Sequence, residues 1–492
     1  GIFFGIDAKE LADQWERFLR LTHGTFHVIA LPAYQRLFAE EMQSVLRHLQ
    51  DAAAKSRLVL DVRQAFERIW VVNAMLNLKY TLKTKNIFHL DPGVIEGKPV
   101  IIAAAGPSLG EEMEYLKAIK REGSAYIVSV GSAVNALIHH DIMPDMALTY
   151  DPQRHNFVIF QEVVRRQLPV PLVYGTTVGF KTLPDYPGPM FHMLTDRDPV
   201  SGYFLKDKNG GKFPRVKDAP SIAVIAVQLF AMLKANPIIF AGQNLAFRND
   251  LYYASGIDYK GRPQQVTQSD TKMEQYTQDV YGNLVRTNRP FMMMKEQIEE
   301  YISAFKGLEF INTTKGGAAI KGAPFMELRE VMRTKLAPGA VAADWMERVG
   351  GEYDPEYAMI QSRKLDESYQ QFWKTVDELQ RHFRELDKAI RNINERRTQK
   401  ALFALNSAFH ACQQNDFYRM FVVPLNRVRL ELVVNEMNRI NAEKNTLARG
   451  KKALEALGKY IYESTEIVNK IDPIFQRMMR EIEQYAVGSC QA

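Results

Sequence analysis

The sequence predicts an α/β protein, a mostly parallel sheet with helices on both faces, followed by an α-helical bundle. Three observations predict it. From Pro99 onward, short β-branched runs alternate with amphipathic stretches of helical length. Six of those runs end in small or polar residues. Finally, no glycine occurs from Glu352 to Arg449 and no proline from Glu356 to Val423, which leaves long helices as the outcome for that segment.

Residues 1 to 32 hold the apolar stretch IFFGI, the helical pattern LADQWERFLRLT and a second apolar run, FHVIALP. They read as the tail of an α/β unit. Gly1 stands where an initiator methionine would be, and GIFFGIDAKE has neither a basic n-region nor a small-residue cleavage site, so the chain is expected to be a piece of a longer protein. Residues 33 to about 86 place apolar side chains at helical intervals through YQRLFAEEMQSVLRHLQ and FERIWVVNAMLNL, a helical connector. Strands follow at VIIAAA, AYIVSVG, DMALTYDP, PLVYGTT, PMFHML, NPIIFAGQN and LEFINTT. Helices between them start near Glu111, end near His140, and cover FVIFQEVVRR and SIAVIAVQLFAML. Strand–helix alternation of this kind builds a Rossmann-like sheet whose ligands lie outside the carboxyl ends of the strands. The expected domains are residues 1–90, 91–335 and 336–492.

In the last of these, Leu365, Tyr369, Phe372, Val376, Leu379, Phe383, Leu386, Ile390 and Ile393 follow at steps of four and three, a heptad seam. Such a seam must be covered. The simplest cover is a helix beginning near Thr398 and another after Pro424; the alternative is the helix of a different protein docked on it.

Composition narrows the function. The longest apolar stretch, SIAVIAVQLFAML, has 13 residues and carries Gln228, short of the roughly 20 that a membrane span needs. Two cysteines, Cys412 and Cys490, provide neither a disulfide framework nor metal-ligand spacing, and favour a reducing compartment, the cytoplasm. The net charge of +6, from 63 basic and 57 acidic residues, is too evenly balanced for a nucleic-acid binder but suits an anionic small ligand. Met292 to Met294, in FMMMKEQIEEYI, read as core packing, and His139 and His140, in LIHHDIMPD, as residues of a helix end.

The strand ends carry the chemistry. They are Gly106-Pro107-Ser108, Gly131-Ser132, Tyr150-Asp151-Pro152, Gly175-Thr176-Thr177, Gly242-Gln243-Asn244 and Asn312-Thr313-Thr314. At one edge of a parallel sheet they would line a single crevice with donors and acceptors, and Gly106, without a Cβ, would admit a ligand to the backbone. The GPSLG corner lacks the lysine of a phosphate loop, and AAAGPSLG lacks the glycine spacing of a dinucleotide site.

The segments AAAGPSL, SVGSAVNALIHHDIMPDMALTYDP, SIAVIAVQLFAMLKANPIIFAGQNLAF with the following YYA, and TKGGAAIKG resemble the motility-associated factor (Maf) glycosyltransferases of flagellin. The likeness runs over roughly residues 90 to 330, with four motifs in the family's order. More distantly, the core is similar to bacterial sialyltransferases that use CMP-sialic acid. The resemblance implies a CMP-activated nonulosonic acid (sialic, pseudaminic or legionaminic type) as donor and Ser or Thr hydroxyls of flagellin as acceptor, with no cofactor and no metal. It implies that Gly106, Pro107 and Ser108 approach the nucleotide, that Ser132 and Asp151 lie beside ribose and cytosine, that Ser221 meets the sugar carboxylate and that Tyr252 meets the phosphate. Gln243, Asn244, Thr313 and the backbone of Lys315, Gly316 and Gly317 complete the donor site it implies. Asp151, Asp270 and Glu274 are the candidate bases. The chain departs from the sialyltransferases in three ways: Asn244 replaces an acid, Ala246 falls on a second tyrosine, and no histidine lies between His192 and His382. A related fold group, the 6-hydroxymethylpterin diphosphokinases, would instead hold Mg²⁺ through carboxylates such as Asp145 and Asp151. A non-catalytic flagellin binder acting through the heptad seam is the remaining alternative.

Overall fold

A computed structural model describes residues 32–208, 213–249, 251–257, 265 and 275–491. The reading of residues 1–31 and the candidate bases Asp270 and Glu274 therefore lie outside the described residues. The chain forms two compact units, residues 1–68 and 69–492. Within the first, the described residues are helical over Pro32–Leu37 and then enter helix α1, Ala39–Thr81, which runs on into the second.

In chain order the strands of the second unit are β1 (Lys85–Asn86), β2 (Val100–Ala103), β3 (Tyr126–Val130), β4 (Met146–Thr149), β5 (Leu172–Gly175), β6 (Met190–Met193), β7 (Ile238–Ala241), the hairpin pair β8 (Gln275–Gln278) and β9 (Leu284–Thr287), and β10 (Phe310–Asn312). All but the hairpin join one sheet in the order β1-β6-β5-β4-β3-β2-β7-β10, and every neighbouring pair is parallel. The seven expected strands are present. The two-residue β1 and the hairpin carry too little apolar alternation to be seen beforehand.

Strands β2 to β5 are buried on both faces, which is why they read as unbroken apolar runs rather than as alternating ones. Ile101, Ala103, Ile127, Ile239 and Ala241 pack on one face against α2 (Met113–Glu122) and, further along the chain, Leu328 and Val331. On the other face, Ile102, Val128, Leu148, Val173 and Phe240 share a core with α4 (Ile222–Met232) and with α5 (Arg289–Ala304), α3 being Ala133–His139. Helix α4 is buried nearly all round, so its sequence lacks a polar face. Phe291 and Met294 of α5 pack on the same core, the role expected for the methionine-rich stretch. Helix α6, Leu328–Lys335, carries Leu328 and Val331.

After β2 the chain steps outward through β3, β4, β5 and β6, then returns to the other side of β2 with β7. The strand order therefore reverses between β2 and β7, the place where open α/β sheets bind ligands.

The longer helices that follow are α7 (Pro355–Arg391), α8 (Glu395–Gln414), α9 (Arg427–Asn441) and α10 (Thr446–Gln491). Asp354 and Asn394 cap α7 and α8 by accepting from the amides of Tyr357 and Arg397. Leu365, Phe372, Val376, Leu379 and Leu386 of the seam are buried with Leu405 and Cys412 of α8 and Leu457 and Phe475 of α10, while Tyr369, Phe383 and Ile390 pack at the margin. The chain covers its own seam, so the seam is not a docking face for another protein's helix. Ile393 alone turns out to solvent, at a left-handed residue (φ 51°) just after α7.

The same core takes in Val71, Met75, Leu78 and Leu82 at the end of α1. That stretch was expected to be a connector, but here it is a core element. Its register decides much of the site.

Candidate functional site at the carboxyl edge of the sheet

Because all eight strands run parallel, the six polar strand ends fall on one edge. At the reversal point, three of them bond to one another. The amide of Gly106 donates to the carbonyl of Gly242 (3.0 Å), and both the amide and the hydroxyl of Ser108 donate to Asn244 Oδ1 (3.2 and 2.9 Å). The amide of Gln243 donates to Thr314 Oγ1 (3.1 Å), Thr313 donates to the carbonyl of Phe240 through amide (2.9 Å) and hydroxyl (2.8 Å), and the amide of Ala318 donates to the carbonyl of Asn244 (2.8 Å).

This corrects the reason for Gly106. A Cβ at that position would lie 2.3 Å from Asn244 Oδ1 and 2.4 Å from the carbonyl of Gly242, so glycine is required by the neighbouring loop rather than by a ligand. The segment after it, Pro107–Glu112, is a single 3-10 stretch, and the amide of Ser108 is taken by Asn244. With Asn244 Oδ1 fixed by two donors, its Nδ2 is left buried and without a partner among the described residues. Gln243 Oε1 is in the same condition. Buried polar atoms are nearly always paired, so these open valences mark the corner as incomplete by itself.

A charge network borders this corner. Arg248 donates to the carbonyl of Lys315 (3.0 Å) and pairs with Glu111 (2.6 Å), and Lys315 lies 3.1 Å from Oε1 of the buried Glu112. Burial holds the Glu112 carboxyl above the usual range, against the pull of Lys315. Gly316 keeps a left-handed conformation (φ 63°) beside Arg248, and Gly317 lies against the backbone of Asn244.

On the other side of the reversal point stand the ends of β3, β4 and β5. Gly131, Ser132 and Asp151 are half-buried, as are Ala105, Pro107, Ser221 and Tyr252. Ser221 caps α4, its hydroxyl accepting from the amide of Ala223 (3.2 Å), and Ile222 approaches Gly131, which brings this end of α4 to the tip of β3. Asp151 Oδ1 accepts from the amide of Gln153 (2.9 Å). The hydroxyl of Tyr150 and Thr176 Oγ1 are buried without partners among the described residues. Thr176 and Thr177 are closed off from solvent altogether, so the β5 end is not an exposed lining like those of β3 and β4.

Asp145 does not belong to this edge. It precedes β4, accepts from the amide of Ile127 (2.7 Å) and pairs with Lys120. Asp151 follows six positions later, beyond β4 and roughly 20 Å along the strand, so the two carboxylates cannot share one ion. His139 and His140 stand at the end of α3 as expected, their rings edge to face, with burial lowering the pKa of His140.

Sequence reasoning missed Glu112, Arg248, and Asn73 and Asn77 on α1. The last two left one signal, a pair of amides four residues apart in the otherwise apolar VVNAMLNL.

Residues 72–250, from the end of α1 through the Asn244 corner, match the family model described as 6-hydroxymethylpterin diphosphokinase MptE-like. An uncharacterized protein of Treponema pallidum (strain Nichols) is 26% identical over 150 residues, 30% of this chain and 67% of that protein. Among solved structures, the Maf glycosyltransferase from Magnetospirillum magneticum AMB-1 superposes with a TM-score of 0.59 over 99% of this chain and 73% of that one, at 13% identity. The chain has the fold of a Maf glycosyltransferase. The shared fold takes in the parallel sheet and the helical carboxyl-terminal region, as the sequence resemblance implied. Among the described residues, no helix is long and apolar enough to cross a membrane.

Proposed function

We propose that the chain is a glycosyltransferase that moves a nonulosonic acid of the sialic, pseudaminic or legionaminic type from a CMP-activated donor to Ser or Thr hydroxyls of flagellin, in the cytoplasm, and so serves flagellum assembly and motility. One observation carries this reading: in a chain with the Maf fold, the open valences of Gln243 and Asn244 sit at the reversal of strand order, beside the half-buried ends of β2 and β3. In the transfer, the bond from the anomeric carbon to the phosphate oxygen breaks as the acceptor oxygen attacks, and its proton passes to a base. Asn244 Nδ2, the backbone of Gly316 and Gly317 and the Tyr252 side chain serve the departing phosphate. The Ser221 hydroxyl serves the sugar carboxylate by donating its proton, with Gly106, Pro107 and Thr313 holding the frame. Ser132 and Asp151 flank the nucleoside; Asp151 is the described candidate base.

The match to the diphosphokinase family model supports a second reading, phosphoryl transfer from ATP with Mg²⁺. The separation of Asp145 from Asp151 weighs against it. Thermal unfolding decides between them: CMP without added metal should stabilise the protein, by about 2.7 kcal/mol at a hundredfold excess over Kd. Stabilisation by ATP with Mg²⁺ and not by CMP would overturn the transferase reading. Intact flagellin incubated with the protein and a CMP-nonulosonate should gain the mass of the sugar.

Ser221→Gly should slow transfer about tenfold through loss of a hydrogen bond to a charged group, while changing stability by only a few tenths of a kcal/mol, because glycine is a tolerable helix cap. Unchanged transfer by this variant would remove Ser221 from the site.

A further inference from the structure

Asn73 and Asn77 lie one turn apart near the end of α1 and are almost completely buried. Asn73 Nδ2 donates to the carbonyls of Pro152 (2.8 Å) and Thr177 (3.0 Å), and Asn77 Nδ2 donates to those of Thr176 (3.1 Å) and Val178 (2.7 Å). Asn73 thus joins the loop after β4 to the loop after β5, and Asn77 closes the second loop on itself. The two loops also meet directly: the amide of Gly179 donates to the carbonyl of Asp151 (3.0 Å), and a Cβ on Gly179 would lie 2.2 Å from the carbonyl of Gln153. Asn77 Oδ1 has no partner among the described residues, so its amide is placed for its donors at the expense of its acceptor.

We infer that Asn73 and Asn77 are positioning residues of the crevice, a pair of amide staples that hold the ends of β4 and β5 together so that Asp151 and Tyr150 are presented to a nucleotide. This deepens the transferase reading and rests on it for its ligand. No other type of side chain of this size supplies two N–H donors without charge: a leucine at either position would strand two carbonyls, and an aspartate would face them with negative oxygens.

The test compares Asn73→Asp with Val71→Ala, a cavity-forming change two residues away in the apolar core, 2% exposed and touching neither loop carbonyl. Both variants should lose thermal stability. At a temperature where circular dichroism shows each fully folded, Asn73→Asp should raise the Kd for CMP about tenfold, whereas Val71→Ala should leave it unchanged. Amide hydrogen exchange without ligand should quicken in Asn73→Asp at Gly179 and across residues 150–153 and 176–179, but not at Ser108 in the other corner. Wild-type affinity and exchange in Asn73→Asp, or an equal loss in Val71→Ala, would overturn the inference. Should wild type fail to bind CMP, the transferase reading falls and the exchange pattern still decides the staple. Asn73→Ser, which keeps one donor, stands in for the aspartate if that variant does not fold.

Discussion

Gly106→Ala should destabilise the protein by about 3 kcal/mol and abolish its stabilisation by CMP. The backbone at Gly106 is extended (φ −69°), a conformation open to any residue, so the expected loss does not come from backbone strain. It comes from space. The new methyl would lie 2.3 Å from Asn244 Oδ1 and 2.4 Å from the carbonyl of Gly242, and two chain segments hydrogen-bonded to each other would have to part. Overpacking of this kind typically costs about 1–3 kcal/mol, and lost bonds from Ser108 to Asn244 add to it. The ligand effect follows, since Asn244 Nδ2 is aimed only while Oδ1 is held. Urea unfolding and CMP titration of the folded variant measure the two effects separately. A variant as stable as wild type would show that the corner yields, contrary to its bonding.

The second large effect concerns His192, buried in β6. Its ring nitrogens meet the hydroxyls of Thr84 and Tyr353, and burial, with a smaller electrostatic influence from His89, lowers its pKa from the ordinary 6.5 to about 3. The folded state therefore keeps His192 neutral where the unfolded chain takes up a proton. Its stabilising contribution is complete above about pH 6.5 and is lost as the pH falls toward about 3, at up to roughly 1.4 kcal/mol per pH unit. His192→Gln keeps a donor and an acceptor for the two hydroxyls but cannot titrate. The acid limb of unfolding free energy against pH should be shallower by about one proton in that variant. An identical acid slope in wild type and variant would show that other groups cause the acid loss.

The architecture was legible because it depends on periodicity, which is a local property. Runs such as VIIAAA and NPIIFAGQN are buried on both faces, and the seam from Leu365 to Ile390 repeats at helical intervals, so each announces its environment in its own spelling. The candidate site was legible as a list of strand ends, not as a set of contacts. Ser108 and Asn244 are 136 residues apart, and neither hints that the hydroxyl of one is fixed on the amide of the other. Asn73 was hidden for the same reason, since its partners lie 79 and 104 residues away. Asp145 and Asp151 were misleading in the opposite sense: near in sequence, they are driven to opposite edges by the strand between them.

By itself the sequence determined the parallel sheet, the helical carboxyl-terminal region and the polar character of the strand ends, since hydrophobic burial acts residue by residue on patterns that a single segment carries. The tertiary structure alone decided which strand ends satisfy one another and which keep open valences. Hydrogen bonds are short and directional, and their partners become neighbours only after the chain has closed long loops, an event that no local pattern records.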